Sequence, residues 1–294
     1  MKIITLLLFL VSTPFILLAQ RSYEVGLTGG GSVYQGELNP SLFAIEAYQN
    51  VNPAGGLFLR YNMNRDFSLQ LSANYINVSG DDAKADVAER RERNLSFKSS
   101  IGEMTLQLNY NLFQFNPKGM DLPFSPYIFL GVSAFHFNPK AKYNGDWVAL
   151  QPLNTEGQGI EGRDKPYSLT QIAIPVGLGY RHCINENISV GFELGLRKTF
   201  TDYIDDVGGV YIKDEILRAK YGDLSANLAN RTGEVGVRTN PATGSIRGSK
   251  KDEDWYAFGG VTVSYIFYDK GRLGEKSRGA MKSGCPKFRK MKRQ

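Results

Sequence analysis

Cysteine, histidine and tryptophan are all scarce in this 294-residue chain, at two residues each. Two cysteines, Cys183 and Cys285, cannot form the framework of a disulfide scaffold or a four-cysteine zinc site. Two histidines, His136 and His182, leave few candidates for the base of a nucleophilic catalyst. Beyond Leu18 no apolar run approaches the roughly 20 residues that a spanning helix needs. A mean hydropathy of −0.29 would ordinarily suit a soluble protein. It does not exclude a membrane barrel, whose strands are only half apolar.

An even spread of charge is also lacking. The chain carries a formal net charge of +6, yet residues 270–294 hold ten Lys or Arg against the single acid Glu275. The positive charge therefore belongs to a tail, and the remainder is slightly acidic, which argues against a nucleic-acid-binding face. At the other end Met1-Lys2, an apolar run from Ile3 to Leu18 and Ala19-Gln20 predict a secretory signal peptide over residues 1–19. No cysteine follows that run, which speaks against lipoprotein-type acylation. The expected organisation is signal peptide 1–19, one β domain 20–269 and a basic tail 270–294.

What the chain has in quantity is glycine, tyrosine and phenylalanine, at 32, 16 and 17 residues, set in two-residue alternation. Ile172, Ile174, Val176, Leu178 and Tyr180 alternate with Ala173, Pro175, Gly177, Gly179 and Arg181. After Asn185-Glu186-Asn187, Ile188, Val190, Phe192, Leu194 and Leu196 alternate with Ser189, Gly191, Glu193, Gly195 and Arg197. A period of two with a short Asn-rich break predicts an antiparallel hairpin. One face is large and apolar, the other small or charged. That division fits a soluble sandwich with its apolar face inward, or a narrow membrane barrel with its apolar face toward lipid.

The same alternation recurs over 23–37, 57–63, 67–75, 101–112, 125–137 and 255–268, giving about eight strands. Polar connections over 39–53, 80–94, 138–166 and 202–254 alternate with short ones at 64–66, 116–122 and 185–187. Long and short connections in strict turn predict an all-β fold: an eight-stranded antiparallel up-and-down transmembrane β-barrel with long outer loops. Tyr23, Tyr61, Tyr75, Tyr110 and Tyr180 at strand ends suit interfacial girdles. Short turns and both termini are then expected on the periplasmic side of an outer membrane.

The inward face carries Glu24, Arg60, Glu103, Glu193 and Arg197. Charges in a narrow barrel need partners, so a lumen charge network is expected, with Glu24, Arg60 and Glu193 toward the periplasmic end. A conducting pore is the alternative. His136 and His182 fall at opposite ends, which argues against an enzyme. Asp202, Asp205 and Asp206 could bind calcium, but an acidic loop in water is the simpler reading; no metal, cofactor or small-molecule substrate is expected. Cys183, beside a short turn, and Cys285, in the tail, could form a disulfide or stay as free thiols. The tail has too few large apolar residues to fold alone, and Lys282, Lys287, Phe288, Arg289 and Lys290 could dock an acidic partner.

Four segments carry a family resemblance. They are Gly29-Gly30-Gly31-Ser32-Val33-Tyr34-Gln35-Gly36-Glu37-Leu38, Pro126-Tyr127-Ile128-Phe129-Leu130-Gly131-Val132, Thr201-Asp202-Tyr203-Ile204-Asp205-Asp206-Val207 and Cys285-Pro286-Lys287-Phe288. Together they make the chain similar to PorG-type outer-membrane proteins of the Bacteroidetes type IX secretion (Por secretion and gliding) system. The resemblance implies a non-catalytic role in protein transport, with the periplasmic ring proteins, a lipoprotein and its partner, as contacts beside outer-membrane lipid. The alternative is a generic porin-like or adhesin-like barrel that binds ligands through its outer loops.

Overall fold

A computed structural model describes residues 21–42, 48–115, 123–237, 241–249 and 253–268. In chain order its strands are β1 (Ser22–Gln35), β2 (Asn52–Asn62), β3 (Phe67–Asp81), β4 (Ser96–Asn111), β5 (Phe124–His136), β6 (Pro139–Tyr143), β7 (Asp146–Ala149), β8 (Thr170–Cys183), β9 (Ile188–Thr199) and β10 (Trp255–Tyr268). Eight of them pair antiparallel in a ring, β1-β2-β3-β4-β5-β8-β9-β10, and β10 returns to β1. A closed sheet leaves no unpaired edge in its wall. β6 and β7 form a separate hairpin attached to the N-terminal end of β4.

The pleat sends successive side chains to opposite sides of the wall. Tyr23, Val25 and Leu27 of β1, Leu57, Leu59 and Tyr61 of β2, Met104, Leu106 and Leu108 of β4, and Ile172, Ile174, Val176 and Leu178 of β8 all face outward. Leu27 is 67% exposed and Leu130 59%. Outward apolar side chains on all eight strands make a continuous belt, far beyond what a soluble monomer exposes. From Phe67 to Tyr75, at roughly 3.4 Å per residue and a tilt of roughly 40°, a strand climbs about 20 Å, close to the height of a hydrocarbon-facing band. The chain is a transmembrane β-barrel, and the soluble-sandwich reading falls. Among the described residues no helix is long and apolar enough to cross a membrane.

One rim carries tight turns built by the same chemistry twice. Asn64 Oδ1 accepts from the amides of Asp66 and Phe67 at 2.9 and 2.7 Å, and Asn185 Oδ1 accepts from Asn187 and Ile188 at 2.9 and 2.8 Å. An Asn side chain mimicking a backbone turn explains why both breaks begin with Asn. The other rim carries long connections, and these are not plain loops. β3 runs on to Asp81, into the expected 80–94 loop, and α1 (Ala88–Arg93) lies within that loop before β4 begins at Ser96. The expected 138–166 loop contains the β6–β7 hairpin, and the expected 202–254 loop contains α2 (Asp214–Tyr221) and α3 (Asp223–Ala229). Short polar elements of this length have no long apolar period to reveal them; the loops hold them by packing on one another.

The inner face also differs from a lining of small and charged residues. Phe58, Tyr127, Phe129, Phe135, Tyr256 and Phe258 point inward and are buried. Room for Phe58, Tyr127 and Phe129 comes from glycine on nearby strands, with Gly26 opposite Phe58, Gly179 opposite Tyr127 and Gly177 opposite Phe129. A side chain at Gly179 would overlap the Tyr127 ring, one at Gly177 or Gly195 the Phe129 ring, and one at Gly26 the Phe58 ring. The small face of β8 and β9 is thus the complement of the large inner face of β5.

Candidate functional sites in the lumen and the cap

Register sets the lumen chemistry. Glu24 lies opposite Arg60, Arg60 opposite Gln70, and Gln70 opposite Gln107, so one row of polar side chains crosses four strands. Arg60 bridges Glu24 at 3.1 Å, donates to Gln70 at 2.7 Å, and lies 4.0 Å from Glu193. Tyr127 joins this node by donating to Glu193 at 2.8 Å. Arg181 completes it, donating to Glu24 at 3.1 Å, Asn62 at 3.0 Å and Asn111 at 2.8 Å. The predicted charge set omits Arg181; its place on the small face of the Ile172–Tyr180 strand was the signal that could have found it.

Nearer the long-loop rim a second node forms. Arg197 pairs with Glu103 at 3.3 Å, and Glu103 also accepts from Tyr256 at 2.6 Å and Asn74 at 2.8 Å. Glu24, Arg60, Glu103, Glu193 and Arg197 are therefore brought together in two nodes, not one. Three acids against three arginines leave these nodes without net charge. Paired and hydrogen-bonded in this way, buried charges avoid most of the penalty that an isolated one would carry.

Among the described residues, side chains pack across both ends of the lumen. At the short-turn end the Arg181 guanidinium stacks 3.7 Å above the Phe115 ring, while Phe115, Cys183 and Ile266 pack together. Cys285, Lys282, Lys287, Phe288, Arg289, Lys290 and residues 1–19 lie outside the described residues, and with them the signal-peptide, disulfide and tail expectations. At the other end an apolar core begins inside the barrel with Phe135, Tyr256 and Phe258 and runs on into the loops through Leu38, Leu150, Ile204 and Leu228. His136 and His182 sit at opposite ends of β5 and β8, paired with Thr170 and Phe124, so they share no site.

The loops fold over this mouth as a cap. Its fixed point is the segment 201–207, whose acids are buried, not in water: Asp205 is 1% exposed and Asp206 0%. Asp206 takes a left-handed backbone, φ 67°, and accepts from Thr155 at 2.5 Å and Tyr167 at 2.7 Å. Arg247 is buried beside it, donating to Glu156 at 3.0 Å and to the Asp206 carbonyl at 2.6 Å. Tyr34 lies within hydrogen-bond reach of both Asp205 and Asp254, at 2.7 and 2.8 Å. The segments 29–38 and 201–207, far apart in sequence, thus meet through Tyr34 and Asp205.

The electrostatics of the cap are strained. Burial and the neighbouring Glu37 carboxylate push the Asp205 carboxyl well above its ordinary range. Burial, Asp205 and Glu37 do the same to Asp254. Burial raises Glu37 to about 7, and raises Asp206 to about 6 against the pull of Arg247. A carboxylate oxygen from each of Glu37, Asp202 and Asp254 lies within 4.8 Å of the others, a spacing that could hold a metal ion.

With this geometry in view, comparison with known families is decisive at one level. A family profile described as "Domain of unknown function (DUF6089)" matches residues 1–230. The chain belongs to that family. No curated protein matches the sequence significantly. Solved structures similar to this DUF6089 member include the Yersinia pestis attachment invasion locus protein Ail in complex with a heparin analogue, at 9% identity and TM-score 0.39, over 84% of this chain and 99% of that one. The N-terminal β-barrel domain of Pseudomonas aeruginosa OprF aligns at 13% identity and TM-score 0.35, over 84% and 98%. The outer-membrane protein OprG of the same organism aligns at 12% and 0.36, over 85% and 96%. Similarity at this level says nothing of activity, and the barrel assignment rests on the strand pairing of this chain itself.

Proposed function

We propose that this chain is a non-conducting, non-enzymatic outer-membrane component of the type IX secretion system, one that anchors or contacts the system's periplasmic ring. The carrying observation is the filled lumen of the described residues: Glu24, Arg60, Glu103, Arg181 and Arg197 are each 4% exposed or less, between the cluster at Phe115 and the apolar core at Phe135, Tyr256 and Phe258. A barrel without a passage works through its rims. The resemblance to PorG-type proteins supports the secretion reading, and two of the segments that carry it build the cap's central contact. In this reading the short turns, both termini and the basic tail face the periplasm, where Lys282, Lys287, Phe288, Arg289 and Lys290 meet an acidic ring protein. Deleting residues 271–294 should abolish secretion and crosslinking to the ring while leaving the barrel folded. Wild-type secretion by the truncated protein would sink the proposal.

A second reading has its own observation. The cap has a separate small core of Ile212, Leu217, Ala226 and Ala229, which is more order than a spacer needs. An adhesin-like barrel that binds through its outer loops would lose function when residues 208–250 are trimmed, with the tail dispensable. The two deletions separate the readings.

A further inference from the structure

The outer wall changes character where β3 and β4 climb past the apolar belt. On β4 the outward positions run from Leu106 and Met104 through Gly102 to Ser100 and Lys98. On β3 the belt ends at Tyr75, which is 59% exposed. β6 then lays Lys140 directly opposite Lys98, and β7 brings back Trp147 opposite Lys142. Tyr75, Lys98, Ser100, Asn138, Lys140 and Trp147 together line a groove of about 310 Å³.

Two ammonium groups opposed across a strand pair repel each other. Among the described residues neither Lys98 nor Lys140 has an ion-pair partner. The acid of this hairpin, Asp146, pairs with Tyr143 and so occupies the alternate face from Trp147. The fold therefore holds two cations together on an exposed wall and supplies no anion. Tyr and Trp flank them, the residues suited to the level where hydrocarbon meets water. Immediately below lies the lipid-facing surface of Met104 and Leu106.

We propose that this groove binds the phosphate-bearing headgroup of an anionic membrane lipid, whose acyl chains run down the outer wall of β3 and β4. Lys98 and Lys140 hold the phosphate, Asn138 offers an amide, Ser100, whose hydroxyl already donates to Asn77 at 2.8 Å, lines the floor, and Trp147 with Tyr75 covers the glycerol or sugar. Charge complementarity selects an anion, and continuity with the bilayer-facing belt selects a lipid over a soluble partner. The groove has the size of a small-molecule site, not of a protein interface. This inference is independent of the secretion reading, because it concerns only the wall and the bilayer.

The test uses the full mature chain in nonionic detergent, titrated with mixed micelles of phosphatidylglycerol or phosphatidylcholine and read by native mass spectrometry and thermal unfolding. With each lysine near the surface contributing about 1 kcal/mol, the expected preference for phosphatidylglycerol is about ten- to thirtyfold. The double variant Lys98→Gln/Lys140→Gln should lose it, and Lys98→Arg/Lys140→Arg should keep it. Heat-modifiable migration on gels shows that each variant is folded. Removing two exposed cap lysines, Lys165→Gln/Lys213→Gln, should leave the preference unchanged. Equal retention of both lipids, or an equal loss in that control, would overturn the proposal. So would inorganic phosphate alone reproducing the stabilisation, or an acidic peptide competing the lipid away more tightly than it binds.

Discussion

Arg197 is the residue on which the upper lumen depends most directly. It is buried, its guanidinium lies against the Phe258 ring, and its charge answers Glu103. Replacing it with Met strands a carboxylate, and breaking a buried pair from one side costs about 3–5 kcal/mol. Arg197→Met should therefore unfold at a markedly lower temperature in detergent, and Arg197→Met/Glu103→Gln should regain most of the loss. Equal losses in single and double variants would show that the pair is not what the site contributes. The carboxyl groups of the cap make a second prediction. A carboxyl raised by folding stabilises in its protonated form; that contribution is full at low pH and is lost as pH climbs through the folded value. For Asp206 and Glu37 the window runs from the ordinary carboxylate range near 4 up to about 6 and about 7. Limited proteolysis within 200–254 should be faster at pH 8 than at pH 5, with the barrel wall resistant at both. Identical cleavage rates, after correction for the protease's own pH profile, would count against the cluster.

Among the elements, β5 shows what was legible and what was not. Its outward Ile128, Leu130 and Val132 follow the period-two pattern, as do the outward faces of β8 and β9. Its inward Tyr127 and Phe129 break the rule of small or charged lining, because their space is made by Gly177, Gly179 and Gly195 on strands more than 40 residues away, and its inward Phe135 joins the apolar core of the cap. Local pattern cannot express a complement between strands far apart in sequence. Arg181 was missed for a related reason: one strand shows its parity, but only the register of several strands shows that it meets Glu24. The β6–β7 hairpin and the helices of the cap are short and polar, and tertiary packing fixes them. Gly179→Leu tests the complement. It should weaken the barrel by about 1–3 kcal/mol through overpacking against Tyr127, and Gly179→Leu/Tyr127→Ala should recover part of the loss. No recovery would mean the ring is not the obstacle. Gel mobility with and without heating reads both.

On the scale of the whole molecule the two seals act in series. Planar-bilayer recordings of the wild-type protein should show no steady conductance. Phe115→Ala/Arg181→Ala opens only the short-turn mouth and should remain silent, because the plug around Phe135, Tyr256 and Phe258 persists. A sizeable steady current in the wild type would overturn the closed-barrel reading. The remaining feature of consequence is the seam between β1 and β10, paired from Ser22 with Tyr268 to Gln35 with Trp255. Ser264 and Glu24, 240 positions apart, touch across it. The neighbouring hairpins can zip early, but the ring has no existence until the final strand has left the ribosome and met the first. Up to that moment the chain is an open ribbon with apolar surface to shelter. Its passage to the membrane is a problem of escort, and the last strand, β10, completes the circle.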